Sequence, residues 1–289
     1  MEKRHIGIAA GLIKRAGHVD EGLPSLVSHV TFGSFTLEPR DGNKEPVYWF
    51  DEATGMSLNA VELKNQGIED FLWNDLPMLE HLPRAGCEVR ISLAPLKSGD
   101  LAEMIRVLFR YQLTNPVVSE IEVNAACPNH KDESGRLHDV LAHDPNALNE
   151  LMSEAMEYRG PKAIKIAPDM SHASLVACVE LALKYGFGTI VNGNTLLSDA
   201  QGHLSVQKGG MAGTPLLERA VAQTKKLRGI VDSMTTGHGP SITVIGCGGV
   251  MSARDAKKHL NAGAHFVQTA TYFSQFGTRG IRDMAVELA

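Results

Sequence analysis

Two asparagines and a cysteine end an otherwise apolar stretch, VNAACPN, at residues 123 to 129. Asn124 stands near the end of the run, and Cys127 and Asn129 fall in the turn after it. Each amide offers both a donor and an acceptor, which suits a planar ligand edge that alternates carbonyl and N–H groups. A thiolate beside such an edge can move a proton. The alternative is that Cys127 is a small buried apolar side chain and that the asparagines hold the turn.

Two glycine clusters, GGMAGTPL (209 to 216) and IGCGGVMS (245 to 252), indicate a second kind of chemistry. Each puts glycines ahead of a predicted helix, where bare backbone N–H groups and a helix N-terminus can hold a phosphate. A tight turn is the alternative for either cluster alone. Together, on neighbouring strands, the clusters favour a phosphorylated cofactor.

Lys165 lies in KIAP, at the end of an apolar run. An ammonium group is costly to bury there without a partner. A cofactor ring that gains negative charge on reduction would be that partner. A structural ion pair inside the fold is the alternative.

Eight β-rich runs recur along the chain and must position these groups. Several are continuously apolar, as expected for parallel strands that are covered on both faces. Alternation with helices predicts an α/β fold, a closed (β/α)8 TIM barrel, with an open doubly wound sheet as the weaker option. The eight runs are residues 5–11, 29–35, 88–94, 120–126, 163–168, 189–194, 241–249 and 265–271.

Helical patterns with recognisable ends separate the runs. Asp144-Pro145 places a capping carboxylate before a first-turn proline. A second helix is predicted from Ser171 to about Gly186, and a third from Ser252 to the Ala262-Gly263 pair, where glycine can take the left-handed cap conformation.

One long insertion interrupts the alternation, from about Thr36 to Leu82, after the second strand. Insertions of this length in compact domains usually serve as lids or binding loops. Neither a repeat nor a linker divides the chain, so residues 1–289 are predicted to form a single barrel domain.

Composition excludes several classes of function. With 43% hydrophobic residues, 21% charged residues and a formal charge of −5, the chain resembles an ordinary soluble globular protein and lacks the basic surface of a nucleic-acid platform. No run approaches the ~20 apolar residues that span a bilayer. Four cysteines lie far apart without a C-x-x-C pair, so neither disulfides nor a metal cradle is predicted. We expect a cytoplasmic protein with a small-molecule substrate and no nucleic-acid or membrane partner.

Barrel enzymes build their sites at the C-terminal ends of the strands. The polar residues at the predicted strand ends would form a ligand-sized ring of hydrogen-bonding groups. Besides the two glycine clusters, this ring contains Lys14, Ser34, Ser92, Asn124, Cys127, Asn129, Lys165, Asn194 and Thr195.

Nine motifs, taken in order, resemble the motif series of the dihydroorotate dehydrogenase family. The resemblance covers about residues 8 to 275 and implies a (β/α)8 barrel that binds FMN and oxidises dihydroorotate to orotate in pyrimidine biosynthesis. The motifs are AAGLIK, GSFTLEPRDGN, SLNAVELKNQG, VNAACPN, KIAPDM, NGNTL, GGMAGTPL, IGCGGV and AGAHFVQTAT.

The resemblance also implies roles for individual residues; no metal-binding residue is predicted. Cys127 occupies the position of the general base, which removes a proton from C5 while a hydride leaves C6 for flavin N5. The substrate would be bound by Lys14, Asn59, Asn124, Asn129, Asn194 and Thr195. The cofactor would be bound by Ala9, Ala10, Gly11, Lys14, Ser34, Ser92, Asn124 and Lys165, and its phosphate by Gly213, Gly248, Gly249, Ala270 and Thr271.

Features of two enzyme classes meet in this chain. A cysteine base is typical of the soluble class that uses fumarate or NAD, so Cys127 and the lack of an N-terminal membrane helix favour that class. Lys14, however, resembles the quinone class, and Phe32 falls near the position where the soluble class has its lysine. The resemblance favours a homodimer. An NAD route would need an electron-transfer partner subunit, because the chain has no cysteine cluster for an iron–sulfur centre.

Glu62 marks one departure from the family pattern. The family's substrate loop usually reads N-x-M-G-[LF]-x-N, whereas this chain has NAVELKN, with Glu62 in the glycine position. A glutamate there would repel a carboxylate if it pointed inward, or block the backbone geometry of a glycine. Either effect favours the alternative function, a related flavin-dependent oxidoreductase acting on a C–C or C=C bond of another pyrimidine-like or enone substrate.

Overall fold

Eight parallel strands close into a barrel in the computed structural model, which describes residues 4–112, 117–126, 141–235 and 241–288. Each barrel strand overlaps one of the eight predicted runs, so the predicted (β/α)8 barrel is confirmed. Around the barrel, the strands are β1 (Ile6–Ile8), β2 (His29–Phe35), β5 (Glu88–Leu93), β6 (Val118–Asn124), β7 (Lys162–Ile166), β8 (Thr189–Asn192), β11 (Thr243–Cys247) and β12 (Phe266–Thr269), which pairs with β1.

Helices cover the outside of the barrel, and three of them begin at the predicted caps. Asp144 accepts a hydrogen bond from the backbone N–H of Asn146 at 2.8 Å, and Ser171 and Ser252 cap the helices that follow them in the same way. Gly277, with a φ of 56°, interrupts the last helix. The helices are α1 (Ile68–Asn74), α2 (His81–Arg84), α3 (Asp100–Gln112), α4 (Pro145–Glu154), α5 (His172–Tyr185), α6 (Leu217–Met234), α7 (Ala253–Asn261) and α8 (Thr271–Leu288).

The described helices include none that is both long and apolar enough to cross a bilayer. Their inward faces pack on the outer faces of the barrel strands and form a continuous apolar core.

The inside of the barrel holds buried polar residues beside a small apolar cluster of Ala9, Ala163, Val191, Ile245 and Cys247. On β6, Ile121 and Val123 join the apolar core, whereas Glu120 and Glu122 are buried polar residues on the opposite face. Arg90 Nη1 lies 2.7 Å from Glu120 Oε2, and the hydroxyl of Thr189 donates to Glu120 Oε1 at 2.7 Å. Burial raises the pKa of Glu120, and the Arg90 guanidinium opposes that shift.

A second, antiparallel sheet lies beside the barrel in the order β3-β4-β10-β9. Strands β3 (Tyr48–Asp51) and β4 (Met56–Asn59) come from the predicted insertion, and β9 (Leu196–Asp199) and β10 (Lys208–Gly213) come from a second insertion after β8. The sequence had predicted only the first. Leu58, Ala60, Ala200 and Leu204 form a small separate core here.

Candidate active site

A cavity opens at the C-terminal ends of the barrel strands, and the second sheet forms part of its wall. The cavity brings together most of the predicted site residues. Those lining it are Ala9, Ala10, Gly11, Lys14, Ser34, Asn59, Asn124, Lys165, Asn194, Thr195, Gly213, Gly248, Gly249, Ala270 and Thr271.

Ser92 is the one predicted site residue among those described that does not line this cavity. Ser92 is fully buried beneath Ser34, and the two hydroxyl oxygens are 2.9 Å apart. Cys127 and Asn129 lie outside the described residues. Their roles, like those of the residues that line the cavity, stay predictions.

Amide side chains from two strand ends meet on one side of the cavity. Asn124, the last residue of β6, donates through Nδ2 to Ser34 Oγ at 3.0 Å. Its Oδ1 accepts from the backbone N–H of Ala126 at 3.2 Å and from Asn194 Nδ2 at 3.4 Å. These bonds fix which edge of the Asn124 amide faces each neighbour, so the polar wall is preorganised.

Lys165 lies on β7, between the two amides, and is almost fully buried. Its Nζ is 3.9 Å from Glu122 Oε1, which is an ion pair but too long for a hydrogen bond. Lys165 also lines the cavity. Both sequence-based alternatives therefore apply to it, since it has a structural partner and still faces the ligand space.

Glycine turns form another part of the cavity wall. Gly248 and Gly249 follow β11 with φ angles of 117° and 76°, and Gly213 ends β10 with a φ of 83°. A Cβ on Gly249 would lie 2.4 Å from the Cα of Leu217, so this turn requires glycine. Backbone N–H groups exposed by such turns suit a phosphate.

His259 on α7 supports this glycine turn from behind. Its Nε2 is 3.0 Å from the carbonyl oxygen of Gly248 and its Nδ1 is 3.2 Å from Thr224 Oγ1. A carbonyl only accepts, so Nε2 carries the proton. Burial lowers the pKa of His259, which keeps the ring neutral and leaves Nδ1 as an acceptor.

The loop that carries Glu62 forms another part of the wall. Glu62 has a φ of 51° and the next residue, Leu63, has a φ of 55°. The glutamate therefore adopts the left-handed backbone that glycine favours. Of the two effects predicted for Glu62, blocking of this backbone geometry does not occur. Glu62 Oε1 is 3.2 Å from Arg40 Nη2, and its side chain, 14% exposed, lines the cavity. Lys14 Nζ donates to the carbonyl of Lys64 in the same loop.

Several cavity residues were missed by sequence reasoning. Ser57 precedes Asn59 by two residues on β4, and Gln268 on β12 lies two residues before Ala270, which follows that strand. The two-residue periodicity of an extended chain would have placed each pair on one face. Cys247 lies inside the motif IGCGGV, but the motif was interpreted through its glycines and predicted no role for the cysteine. The missed residues that line the cavity include Tyr48, Ser57, Cys247, Met251, Gln268 and Ser274.

Ser57 connects the second sheet to the barrel. Its hydroxyl oxygen is 2.9 Å from Thr271 Oγ1, at the start of α8, and both side chains are buried. The part of the wall that comes from the insertion is thus attached directly to the barrel at Thr271, which also lines the cavity.

The residues present fit a flavin mononucleotide. A Cβ added at Gly11 would meet no atom within 4 Å, so open space adjoins the backbone there. Glycine turns suited to a phosphate and amides with a buried ammonium line the same cavity. This arrangement at the C-terminal face of the barrel is typical of the class of barrel proteins that bind a phosphorylated cofactor.

The comparison with known families agrees with that class. The sequence pattern of the dihydroorotate dehydrogenase family matches residues 3–289. The chain belongs to this family, whose enzymes are oxidoreductases that bind FMN. The predicted family, fold and cofactor are confirmed.

Individual relatives add detail. The dihydroorotate dehydrogenase (quinone) of Dechloromonas aromatica is 29% identical over 297 residues, covering 98% of this chain and 80% of the relative. The enzyme of the same name from Roseiflexus sp. is 30% identical over 295 residues, covering 98% and 76%. A crystal structure of DHODH from Eimeria tenella in complex with ferulenol has a TM-score of 0.77 at 18% identity and covers 98% of this chain and 80% of that one. The Dechloromonas and Roseiflexus enzymes carry the quinone designation, whereas Cys127 had favoured the soluble class.

Proposed function

We propose that this protein oxidises dihydroorotate to orotate in pyrimidine biosynthesis, with FMN as cofactor and Cys127 as general base. The observation that carries the proposal is the meeting of Asn124, Asn194 and Lys165 in a cavity that the glycine turns at Gly213, Gly248 and Gly249 also line. Bound FMN would supply the hydride acceptor at N5.

The chain's own residues would bind and orient the two ligands. The backbone of Gly248, Gly249 and Thr271 would hold the phosphate, and Lys165 would lie near the ring. The amides of Asn124 and Asn194, with Asn59 from the second sheet, would hydrogen-bond the alternating carbonyl and N–H edge of a pyrimidine. Asn129 and Thr195 would complete this set.

Cys127 as base is supported by chain position. Asn124 ends β6 and lines the cavity, so the segment that follows starts from the cavity edge. A thiolate there would take the proton from C5 of the substrate, on the side away from the departing hydride. The base must face the flavin across the substrate for both bonds to break.

An anaerobic absorbance titration with dihydroorotate tests this function. Purified, flavin-loaded protein should lose its absorbance near ~450 nm as the substrate is oxidised, because the bound flavin takes up the electrons. Flavin that stays oxidised in the presence of excess dihydroorotate would overturn the assigned substrate and leave the cofactor assignment standing.

Glu62 favours a second candidate, the oxidation or reduction of a C–C or C=C bond in a neutral pyrimidine-like or enone compound. Its carboxylate lines the cavity beside Arg40, where a substrate carboxylate would meet a like charge. Faster flavin turnover with a neutral substrate than with dihydroorotate would select this candidate.

The electron acceptor is a separate question. The quinone relatives and Lys14 favour a quinone, whereas Cys127 favours fumarate or NAD. Reoxidation of the reduced protein by a water-soluble quinone, by fumarate and by NAD, compared at equal concentration, separates the three. We also propose a homodimer, which sedimentation of the flavin-loaded protein tests. Rapid reoxidation by NAD alone would argue against the need for an electron-transfer partner subunit.

A further inference from the structure

Glu122 is a buried carboxylate to which the proposed reaction assigns no role. It lies inside the barrel on β6 with a fully buried side chain, and neither carboxylate oxygen has a hydrogen-bond partner among the described residues. Burying a carboxylate without compensation is costly. Within the described part of the chain, its one ion-pair partner is Lys165, whose Nζ is 3.9 Å from Glu122 Oε1.

Lys165 therefore stands between a carboxylate and the ligand space. Its side chain is 5% exposed, it lines the cavity, and its contact with Glu122 is longer than a hydrogen bond. The ammonium donors are consequently not used up by Glu122. The same group can hydrogen-bond a cofactor ring while its charge is partly offset from behind.

The charges of Lys165 and Glu122 both affect the pKa of Cys247 at the cavity wall. This buried thiol also lines the cavity. Burial raises the pKa of Cys247, the Lys165 ammonium opposes that shift, and the Glu122 carboxylate reinforces it. Glu122 thus counteracts Lys165 at a point that borders the ligand.

Two-electron reduction adds negative charge to a flavin ring. A cation beside the ring stabilises the reduced form, and a carboxylate behind that cation diminishes the stabilisation. We propose that Glu122 is a positioning residue that holds Lys165 and lowers the midpoint potential of the bound flavin. The inference rests on the FMN site of the proposed function, and it does not depend on which substrate is oxidised.

Glu122→Gln tests the proposal, since it keeps the shape of the side chain and removes its charge. We expect the midpoint potential of the bound FMN, measured by anaerobic spectroelectrochemical titration, to rise. A tenfold shift in the ratio of reduced to oxidised flavin corresponds to about 30 mV for a two-electron couple, and a rise of this order is expected. Glu122→Asp keeps the charge and should stay closer to the wild-type potential than Glu122→Gln does.

Glu120→Gln is the matched control. Glu120 is a buried carboxylate on the same strand, but it is bound to Arg90 and Thr189 and makes no ion pair with Lys165. The midpoint potential of FMN bound to Glu120→Gln should match that of FMN bound to the wild type. An unchanged potential in Glu122→Gln, or equal shifts in Glu122→Gln and Glu120→Gln, would overturn the proposal.

Failure of the proposed function gives a different result. A wild-type protein that binds flavin and ignores dihydroorotate still has a measurable midpoint potential, so the effect of Glu122 can be read independently of the substrate. Equal potentials for wild type, Glu122→Asp and Glu122→Gln would reject the role of Glu122 even in an enzyme that oxidises dihydroorotate.

Discussion

Asn194 Nδ2 lies 3.4 Å from Asn124 Oδ1, so that side chains from either side of β7 meet at the mouth of the barrel. The strand between them carries Lys165, which pairs in register with Asn124. Two amides and an ammonium group are thereby held by three adjacent strands. Such groups cost little reorganisation when a polar ligand binds, because the sheet has already fixed their spacing.

Asn194→Ala should weaken orotate binding and leave FMN in place. Loss of one hydrogen-bonding amide in a buried site costs roughly 1–3 kcal/mol, which is about 5- to 150-fold in affinity. The change in flavin absorbance on titration with orotate measures the dissociation constant. Asn74→Ala removes an exposed amide far from the cavity and is the control. Equal orotate affinity in Asn194→Ala and wild type would remove Asn194 from the substrate site.

Cys127→Ala should keep the flavin but slow its reduction by dihydroorotate roughly 10²- to 10⁴-fold, the usual contribution of a general base. Cys127→Ser should retain more activity than Cys127→Ala, because a hydroxyl can still accept the proton through its oxygen. Anaerobic stopped-flow absorbance measures the reduction rate directly. Identical rates in Cys127→Ala and wild type would show that another group is the base.

Glu62→Gly should strengthen the binding of carboxylate ligands. The substitution removes a charge that lines the cavity, and glycine accepts the positive φ of this position without strain. Orotate affinity is expected to rise by about tenfold, or 1.4 kcal/mol. Glu52→Gln, on the exposed turn between β3 and β4, is the charge control. An unaltered orotate affinity would mean that the Arg40 ion pair already shields the ligand from Glu62.

His259→Ala should lower FMN affinity without touching the cofactor. The ring of His259 holds the Gly248 carbonyl, so its removal frees the turn that presents backbone N–H groups to the phosphate. Fluorescence titration of apoprotein with FMN and with riboflavin separates the effects, since riboflavin lacks the phosphate. We expect the loss for FMN to exceed the loss for riboflavin. Equal losses would show a general effect on folding.

The stability of the fold should decrease in mild acid because of two buried histidines. Burial lowers the pKa of His29 well below its ordinary value of 6.5, and it lowers the pKa of His259 as well. Below pH 6.5 the unfolded chain therefore binds more protons than the folded chain. The contribution of the two histidines to the free energy of unfolding is complete above that pH, and it is lost as the pH falls towards their folded-state pKa values.

Denaturant unfolding at a series of pH values measures this loss. Each histidine contributes a slope of up to about 1.4 kcal/mol per pH unit in that window. His259→Gln should reduce the slope, whereas His172→Gln, at an exposed position, should leave it unchanged. Equal slopes in wild type and His259→Gln would contradict the buried, neutral state of His259.

The barrel could be predicted from the sequence because each strand is a local signal. The strands around Val30 and Ile164 are short, rich in apolar residues and buried along their whole length, as covered parallel strands are. The second sheet has no such signal. Strand β10 reads KGGMAG, and glycine is depleted in strands. Its pairing of Gly210 with Asn59 joins residues from two distant insertions.

The site shows the same division. Gly248 and Gly249 could be predicted because their positive φ angles demand glycine. Ser92 was predicted at the cavity wall but lies beneath Ser34. The sequence shows which residues are near a strand end, but the depth of each side chain in the barrel depends on how the strands pack. The partner of Lys165 could not be identified, because Glu122 sits on a neighbouring strand whose register only the folded barrel defines.

Strand β10 also fixes a distance along the cavity wall. Gly210 pairs with Asn59, and its carbonyl accepts from the Asn59 side-chain amide at 3.1 Å, while Gly213 pairs with Met56. Three residue steps of one strand, roughly 10 Å, therefore separate Gly210, the partner of Asn59, from Gly213. Because a paired strand cannot stretch as a loop can, the second sheet holds these two parts of the cavity wall at a fixed spacing.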